Sequence, residues 1–235
     1  MFETNYKNNN AALIVMLTHN DYTVENAFEI FEQCKNSKAK FYGLKEKGLS
    51  LKRMKYLYAY IKKHGKTTVL EVAAYTENEC LQGAEMALEC KCDILMGTIF
   101  FDSVNEFCKK NNLKYMPFVG KVENRPSILQ GDIEEIIKEA NKYLEKGVYG
   151  FDLLGYRYLG DAAELNRKFL SQVHAPVCLA GDIDSYEKLD EINKNLPWAF
   201  TIGGAFFENK FGKTHEEQIN KVCGYTDIYR ANQAV

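Results

Sequence analysis

Ala175-Pro-Val-Cys-Leu-Ala-Gly-Asp-Ile-Asp-Ser185 and Trp198-Ala-Phe-Thr-Ile-Gly-Gly-Ala-Phe-Phe207 are two short apolar runs, each ending in a glycine-bearing turn. Roughly twenty residues separate the turns, room for one helix and its connections. That spacing describes a strand, a crossover helix and a second parallel strand. Glycine at the end of each strand lets backbone N–H groups approach a ligand where a side chain would obstruct it. Two such turns side by side make a cradle of amide dipoles suited to an anion.

The same alternation extends through the rest of the chain. Segments 11–18, 40–44, 67–74, 93–99, 113–119 and 149–154 are short and apolar and read as strands, followed by 177–180 and 199–202. Helical periodicity fills 24–34, 50–64, 76–90, 103–111, 133–146, 162–173, 186–193 and 215–223. Thr76 and Asp161 read as N-caps, and Gly65 and Gly147 as helix stops. Eight strand-then-helix units without a long linker predict an α/β fold, a single (β/α)8 TIM barrel over 1–235. Residues 1–10 read as a polar lead and 224–235 as a C-terminal tail.

Composition narrows the function classes. A net charge of −2 argues against a broad electrostatic grip on nucleic acid. No apolar segment has the length to cross a bilayer, and the N-terminus lacks a signal core, so no membrane role is expected. Seven cysteines without a framework spacing fit reduced thiols and a cytoplasmic location. Cys90 and Cys92 form the one close pair, and no second pair follows at zinc spacing. No G-x-G-x-x-G follows the first strand, so a dinucleotide fold is disfavoured.

Alternation along each strand tells which side chains enter the barrel. With Tyr42 and Leu44 outward, Lys45 points inward. With Leu70 and Val72 outward, so does Glu71. With Phe151 and Leu153 outward, so does Asp152. If Pro117 and Val119 share the inward face, Lys121 joins them. These groups meet at the C-terminal mouth, where barrel enzymes keep their chemistry. The same pattern also describes an ion-pair layer that only fixes the interior. His19, in Thr18-His-Asn-Asp21, adds an imidazole after the first strand, and Asn20 and Asp21 could hold ligand hydroxyls or cap the helix. Arg125, in the irregular stretch 120–131, is a candidate lid or anion contact, and Arg157 could reach over the mouth.

Leu179-Ala-Gly-Asp-Ile-Asp184 and Thr201-Ile-Gly-Gly-Ala205 resemble the closing strands of phosphate-binding (β/α)8 barrels. That ribulose-phosphate-binding group includes histidine- and tryptophan-pathway isomerases, sugar-phosphate epimerases and decarboxylases. The resemblance implies that Gly181, Gly203 and Gly204 bind phosphate through backbone amides, with Ala180 and Asp182 flanking. The blocks Gly43-Leu-Lys-Glu46, Phe118-Val-Gly-Lys121 and Trp198-Ala-Phe-Thr-Ile-Gly203 are similar to a bacterial branch of such barrels. The third strand lacks the lysine of the decarboxylase motif, and the fifth lacks the isomerase aspartate.

The leading expectation is an enzyme acting on a small phosphorylated sugar or related ester, by isomerisation, epimerisation or carbon–carbon cleavage beside a carbonyl. Such chemistry needs a base and a cation for the developing enolate. Asp152 or Glu71 would be the base and Lys45 the cation, with a Schiff base on Lys45 or Lys121 as a variant. No cofactor is expected, although Glu71 and Asp152 could hold a divalent metal through water. The alternatives are a non-catalytic barrel that binds a phosphorylated metabolite and, less favoured, a flavin- or nicotinamide-dependent oxidoreductase. Homo-oligomerisation is compatible with the outer helices.

Overall fold

Short runs such as Thr67-Thr-Val-Leu-Glu-Val72, β-branched and interrupted by few helix formers, pair as strands in the computed structural model, which describes residues 10–231. The barrel strands are β1 (Ala12–Met16), β2 (Phe41–Lys45), β3 (Thr67–Val72), β4 (Ile94–Gly97), β5 (Lys114–Met116), β6 (Phe151–Leu153), β7 (Val177–Leu179) and β8 (Ala199–Ile202). They pair in parallel in the order β6-β7-β8-β1-β2-β3-β4-β5. Further backbone bonds span the remaining seam. Tyr149 N–H donates to Tyr115 O (2.9 Å), and Asp152 N–H donates to Pro117 O (3.1 Å). The sheet therefore closes into the expected (β/α)8 barrel.

The surrounding helices are α1 (Ala27–Cys34), α2 (Leu51–Lys63), α3 (Glu77–Glu89), α4 (Asp102–Lys110), α5 (Ile133–Glu145), α6 (Ala162–Gln172), α7 (Tyr186–Asn195), α8 (Gly204–Phe207) and α9 (His215–Ala231). Side-chain caps start six of them: Ser50, Thr76, Asp132, Asp161, Ser185 and Thr214 each accept from an amide of the first turn. Three boundaries differ from the sequence reading. Residues 18–23 form a hairpin, so α1 starts at Ala27. The stretch 120–131 is a second hairpin, Lys121–Glu123 against Ile128–Gln130. The tail expected at 224–235 is helical as far as Ala231. The polar lead, apart from Asn10, lies outside the described residues.

Two apolar layers follow from strand alternation. Tyr42, Leu44, Leu70, Val72, Phe151, Leu153, Phe200 and Ile202 pack under the helices, as their phase predicts. Ile14, Met16, Val69, Ile94, Met96, Met116 and Cys178 fill the barrel. Trp198 plugs its lower end, with ring centroids 5.5 Å from Phe41 and 6.3 Å from Tyr149. All seven cysteines are free, and burial pushes the Cys34, Cys80 and Cys90 thiols up to about 11, which suits packing rather than reactivity.

Gly43 gives Met16 its place at the centre, because a Cβ there would lie 2.3 Å from Met16 Sδ. Gly43→Ala should therefore lower stability by about 1–3 kcal/mol, the usual cost of overpacking a filled interior. Urea denaturation measures this, and an unchanged midpoint would show that the interior has slack.

Candidate active site

The turn Asn20-Asp21 decides the geometry of the mouth. Both residues are left-handed, at φ 50° and 68°, the geometry of a two-residue hairpin turn between Thr18-His19 and Tyr22-Thr23. Asparagine and aspartate tolerate that region better than most side chains. Thr23 then ties the hairpin to the end of β2: its hydroxyl accepts from Lys45 N–H (2.8 Å) and donates to Lys45 O (2.9 Å). The result points the Asp21 carboxylate at the Lys45 ammonium.

Lys45 sits between two carboxylates. It pairs with Glu71 at 3.0 Å and makes a close contact with Asp21. All three side chains are less than one-tenth exposed. Asp21 uses its other oxygen for Arg125 at 2.9 Å. Arg125 also donates to Asp21 O (3.2 Å), to Ala73 O (3.1 Å) and to the Glu46 carboxylate. Burial opposes the Lys45 ammonium, but Glu71 and Asp21 outweigh it and hold its pKa above the ordinary lysine value. The amine is therefore kept charged.

Asp152 lies beneath this layer, 1% exposed. Neither of its carboxyl oxygens bonds to any described residue. Burial, reinforced by the Glu71 charge, raises its pKa well above the aspartate range, and Lys45 and Arg157 do not reverse that. Asp152 is thus a neutral acid under the floor, whereas Glu71 and Lys45 face the cavity. Strand phase points all three into the barrel, but only Lys45 and Glu71 line the mouth, and phase did not distinguish the buried acid from the accessible carboxylate.

The cavity above them has a volume of about 320 Å³. Its opposite wall carries Ala180, Gly181, Asp182, Gly203 and Gly204, so the two glycine turns do converge. The amides of Gly181, Gly203 and Gly204 donate to no described residue. Gly181 has φ +99°, and a Cβ there would strike Arg157 Cγ at 2.8 Å, so both backbone and space select glycine. Arg157 packs over this turn and donates to Asp182 from Nε (3.2 Å) and Nη2 (2.8 Å). His19 reaches the same end of the cavity, stacked on Phe207 at 5.4 Å.

Two assignments change. Lys121 is 65% exposed, pairs with Glu123 at 3.2 Å and does not line the mouth. Val119 packs in the outer layer, and Gly120 at φ +73° then turns the chain away, so strand phase cannot be carried past it. Arg125 does belong to a loop over the mouth, but its donors are occupied by protein acceptors. It latches the loop, with help from Tyr75, whose hydroxyl reaches Asn124 O (2.5 Å) and Ser127 Oγ (2.6 Å). Asp21 and Glu46 are partners that strand phase could not find, since both lie beyond strand ends. The short Asn20-Asp21 step between Thr-His and Tyr-Thr was the available hairpin signal. Among the described residues no cluster of three His, Cys, Asp or Glu side chains is arranged to hold a metal ion. Nor is any described helix long and apolar enough to cross a membrane.

No protein-family model and no curated protein matches the sequence. Solved structures do match the fold. Orotidine 5'-phosphate decarboxylase from Pyrococcus horikoshii OT3 is 11% identical over 92% of this chain and 99% of its own, with TM-score 0.67. Phosphoribosylanthranilate isomerase from Thermotoga maritima is 12% identical over 92% and 98%, with TM-score 0.61. A glycerol uptake operon antiterminator regulatory protein from Listeria monocytogenes is 16% identical over 82% and 91%, with TM-score 0.57. The resemblance read from the two glycine turns therefore holds at the level of the fold.

Two substitutions test the charge assignments. Lys45→Met leaves Asp21 and Glu71 buried around an apolar chain and should cost about 3–5 kcal/mol by urea denaturation. Asp152→Asn should act the other way. The folded chain keeps a proton on Asp152 that unfolded aspartate loses above about pH 4, so that residue weakens folding progressively as pH rises. The asparagine variant should be more stable than wild type at neutral pH, with the gain shrinking toward pH 4. A variant less stable at every pH would mean that Asp152 is ionised and paired.

Proposed function

We propose that this barrel is an enzyme acting on a small phosphorylated sugar or related phosphate ester, through proton transfer beside a carbonyl. The observation that carries the reading is a single cavity with unengaged glycine amides on one wall and the Lys45–Glu71 pair on its floor. Neutral N–H donors at Gly181, Gly203 and Gly204 would hold the phosphate. Glu71 would remove or return the proton, and Lys45 would stabilise the enolate oxygen. Asp152, neutral and beneath Glu71, is suited to hold a proton rather than to take one from substrate.

Isomerisation, epimerisation and carbon–carbon cleavage all share this enolate step, and the fold neighbours include an isomerase and a decarboxylase by name. A lysine imine is the less supported route, because Lys45 is held as an ammonium by two carboxylates. The cavity is at the small end for ligand sites and has no Phe, Tyr or Trp in its lining. That favours a polar, sugar-sized ligand over a flavin, a nicotinamide or a nucleobase. The second reading, a metabolite sensor, draws on the regulatory protein of the same fold and on the mutual pairing of the floor charges.

A panel of sugar phosphates should raise the melting temperature of the protein, and inorganic phosphate should do so weakly. Gly204→Asp puts a carboxylate among the cradle amides at a helix start that tolerates it, and should abolish that stabilisation. Glu71→Gln should retain ligand binding and lose about 100-fold or more in turnover. Stabilisation by a phosphosugar without turnover across the panel would select the sensor reading. Stabilisation unaffected by Gly204→Asp would remove the cradle.

A further inference from the structure

His19 follows the first strand, and the structure puts it at the end of the cavity away from Lys45 and Glu71, beside Gly204. A side chain at Gly204 would come within 3.7 Å of His19 Cδ2, so the ring stands directly over the glycine turn. Phe207 fixes its plane by stacking, with 20° between the rings. Glu208 lies 3.8 Å from Nε2. Lys45 and Glu71, the proton-transfer pair, are held to each other and to Asp21 on the floor.

We propose that His19, as an imidazolium, is the side-chain grip on the phosphate, and that anion binding is thereby linked to proton uptake. The inference rests on the cradle reading and adds a charged donor to its neutral amides. A cradle of amides alone would face an adverse field. The floor holds two cations, Lys45 and Arg125, against three carboxylates, Asp21, Glu46 and Glu71. The rim adds Asp182, Asp184 and Glu208. Arg157 is occupied by Asp182 at 2.8 Å. A dianion entering this space needs a positive group beside the glycines, and His19 is the titratable cation placed there.

Charged and titratable groups face the ring from each element packed around it. On the α8 side, Glu208 faces the ring and is shared with Lys210 at 3.6 Å. Beyond Phe207, His215 of α9 stacks edge-on at 4.8 Å, and burial lowers its pKa, so it brings no competing charge near neutrality. On its own hairpin, Asp21 is committed to Lys45 and Arg125. Across the cavity stand Asp182, paired with Arg157, and Asp184, paired with Lys188 at 2.9 Å.

Sulfate is the useful probe, because it keeps both charges over the range in which imidazoles titrate. Calorimetric titration of the full chain should show sulfate affinity falling about five- to ten-fold between roughly pH 6 and pH 8.5. His19→Asn should bind at the weaker level throughout, with no pH dependence. Glu208→Gln removes the carboxylate that competes with the anion, and should tighten binding most at the higher pH. Wild-type affinity that is flat with pH, or a His19→Asn protein that keeps the wild-type slope, overturns the proposal. Sulfate binding lost in Gly204→Asp but unaltered in His19→Asn would leave the glycine cradle standing and remove His19 alone. Binding that survives Gly204→Asp would instead overturn the cradle itself, and the proposal with it.

Discussion

The ammonium of Lys45, held between Asp21 and Glu71, is the constraint on which the mouth of this barrel depends. A charge this deeply buried is tolerable only when its partners are fixed, and each partner here comes from a different element. Glu71 is presented by β3, next to β2 in register, with Lys45 opposite Glu71 itself. Asp21 is delivered by a left-handed turn that Thr23 pins to the Lys45 backbone. The second oxygen of Asp21 then holds Arg125, and through Arg125 the loop that carries Pro126 over the cavity. Floor and cover are one ionic assembly. Movement of the loop must alter the field at Lys45.

The barrel explains why such an assembly can exist at all. Below it, Met16, Val69, Met96 and Met116 fill the interior and exclude water, and Gly43 leaves room for Met16. Low local polarity strengthens the Lys45–Glu71 attraction, and for the same reason it penalises a second carboxylate. Asp152 answers that penalty by keeping its proton. One strand position thus supplies a carboxyl paired with Lys45 at the surface of the floor, and another an unpartnered acid just beneath it. Both carboxyls are buried, and they differ because Glu71 has the Lys45 ammonium at 3.0 Å while Asp152 bonds to no described residue.

Much of this was legible from strand phase. Outward Tyr42 and Leu44 fixed Lys45 inward, outward Leu70 and Val72 fixed Glu71, and outward Phe151 and Leu153 fixed Asp152. The glycine turns at 181 and 203 were readable because their residue types have few other uses at strand ends. Phase failed where strands end. Gly120 breaks the line of β5 and sends Lys121 to the surface, while Asp21 and Glu46 enter the ion layer from loops with no periodicity to extrapolate. Depth was also invisible: alternation gives the side of a strand, but not whether a carboxyl ends at the cavity or under it.

The division between the two ends of the cavity follows from charge. The floor groups Lys45, Asp21 and Glu71 are buried and paired with one another, which fixes their charges. A group that holds an arriving dianion cannot be pre-paired to the same degree without losing its purpose. Glycine amides meet that need because they are strong donors with no net charge to neutralise beforehand. They add no permanent cation that would draw Glu71 or Asp21 away from Lys45. The side chain that the structure places beside them is the imidazole of His19, as the proposed anion grip would require. Under the proposed function, unengaged amides opposite a paired ion layer would let one small cavity bind an anion while the Lys45–Glu71 pair stays intact.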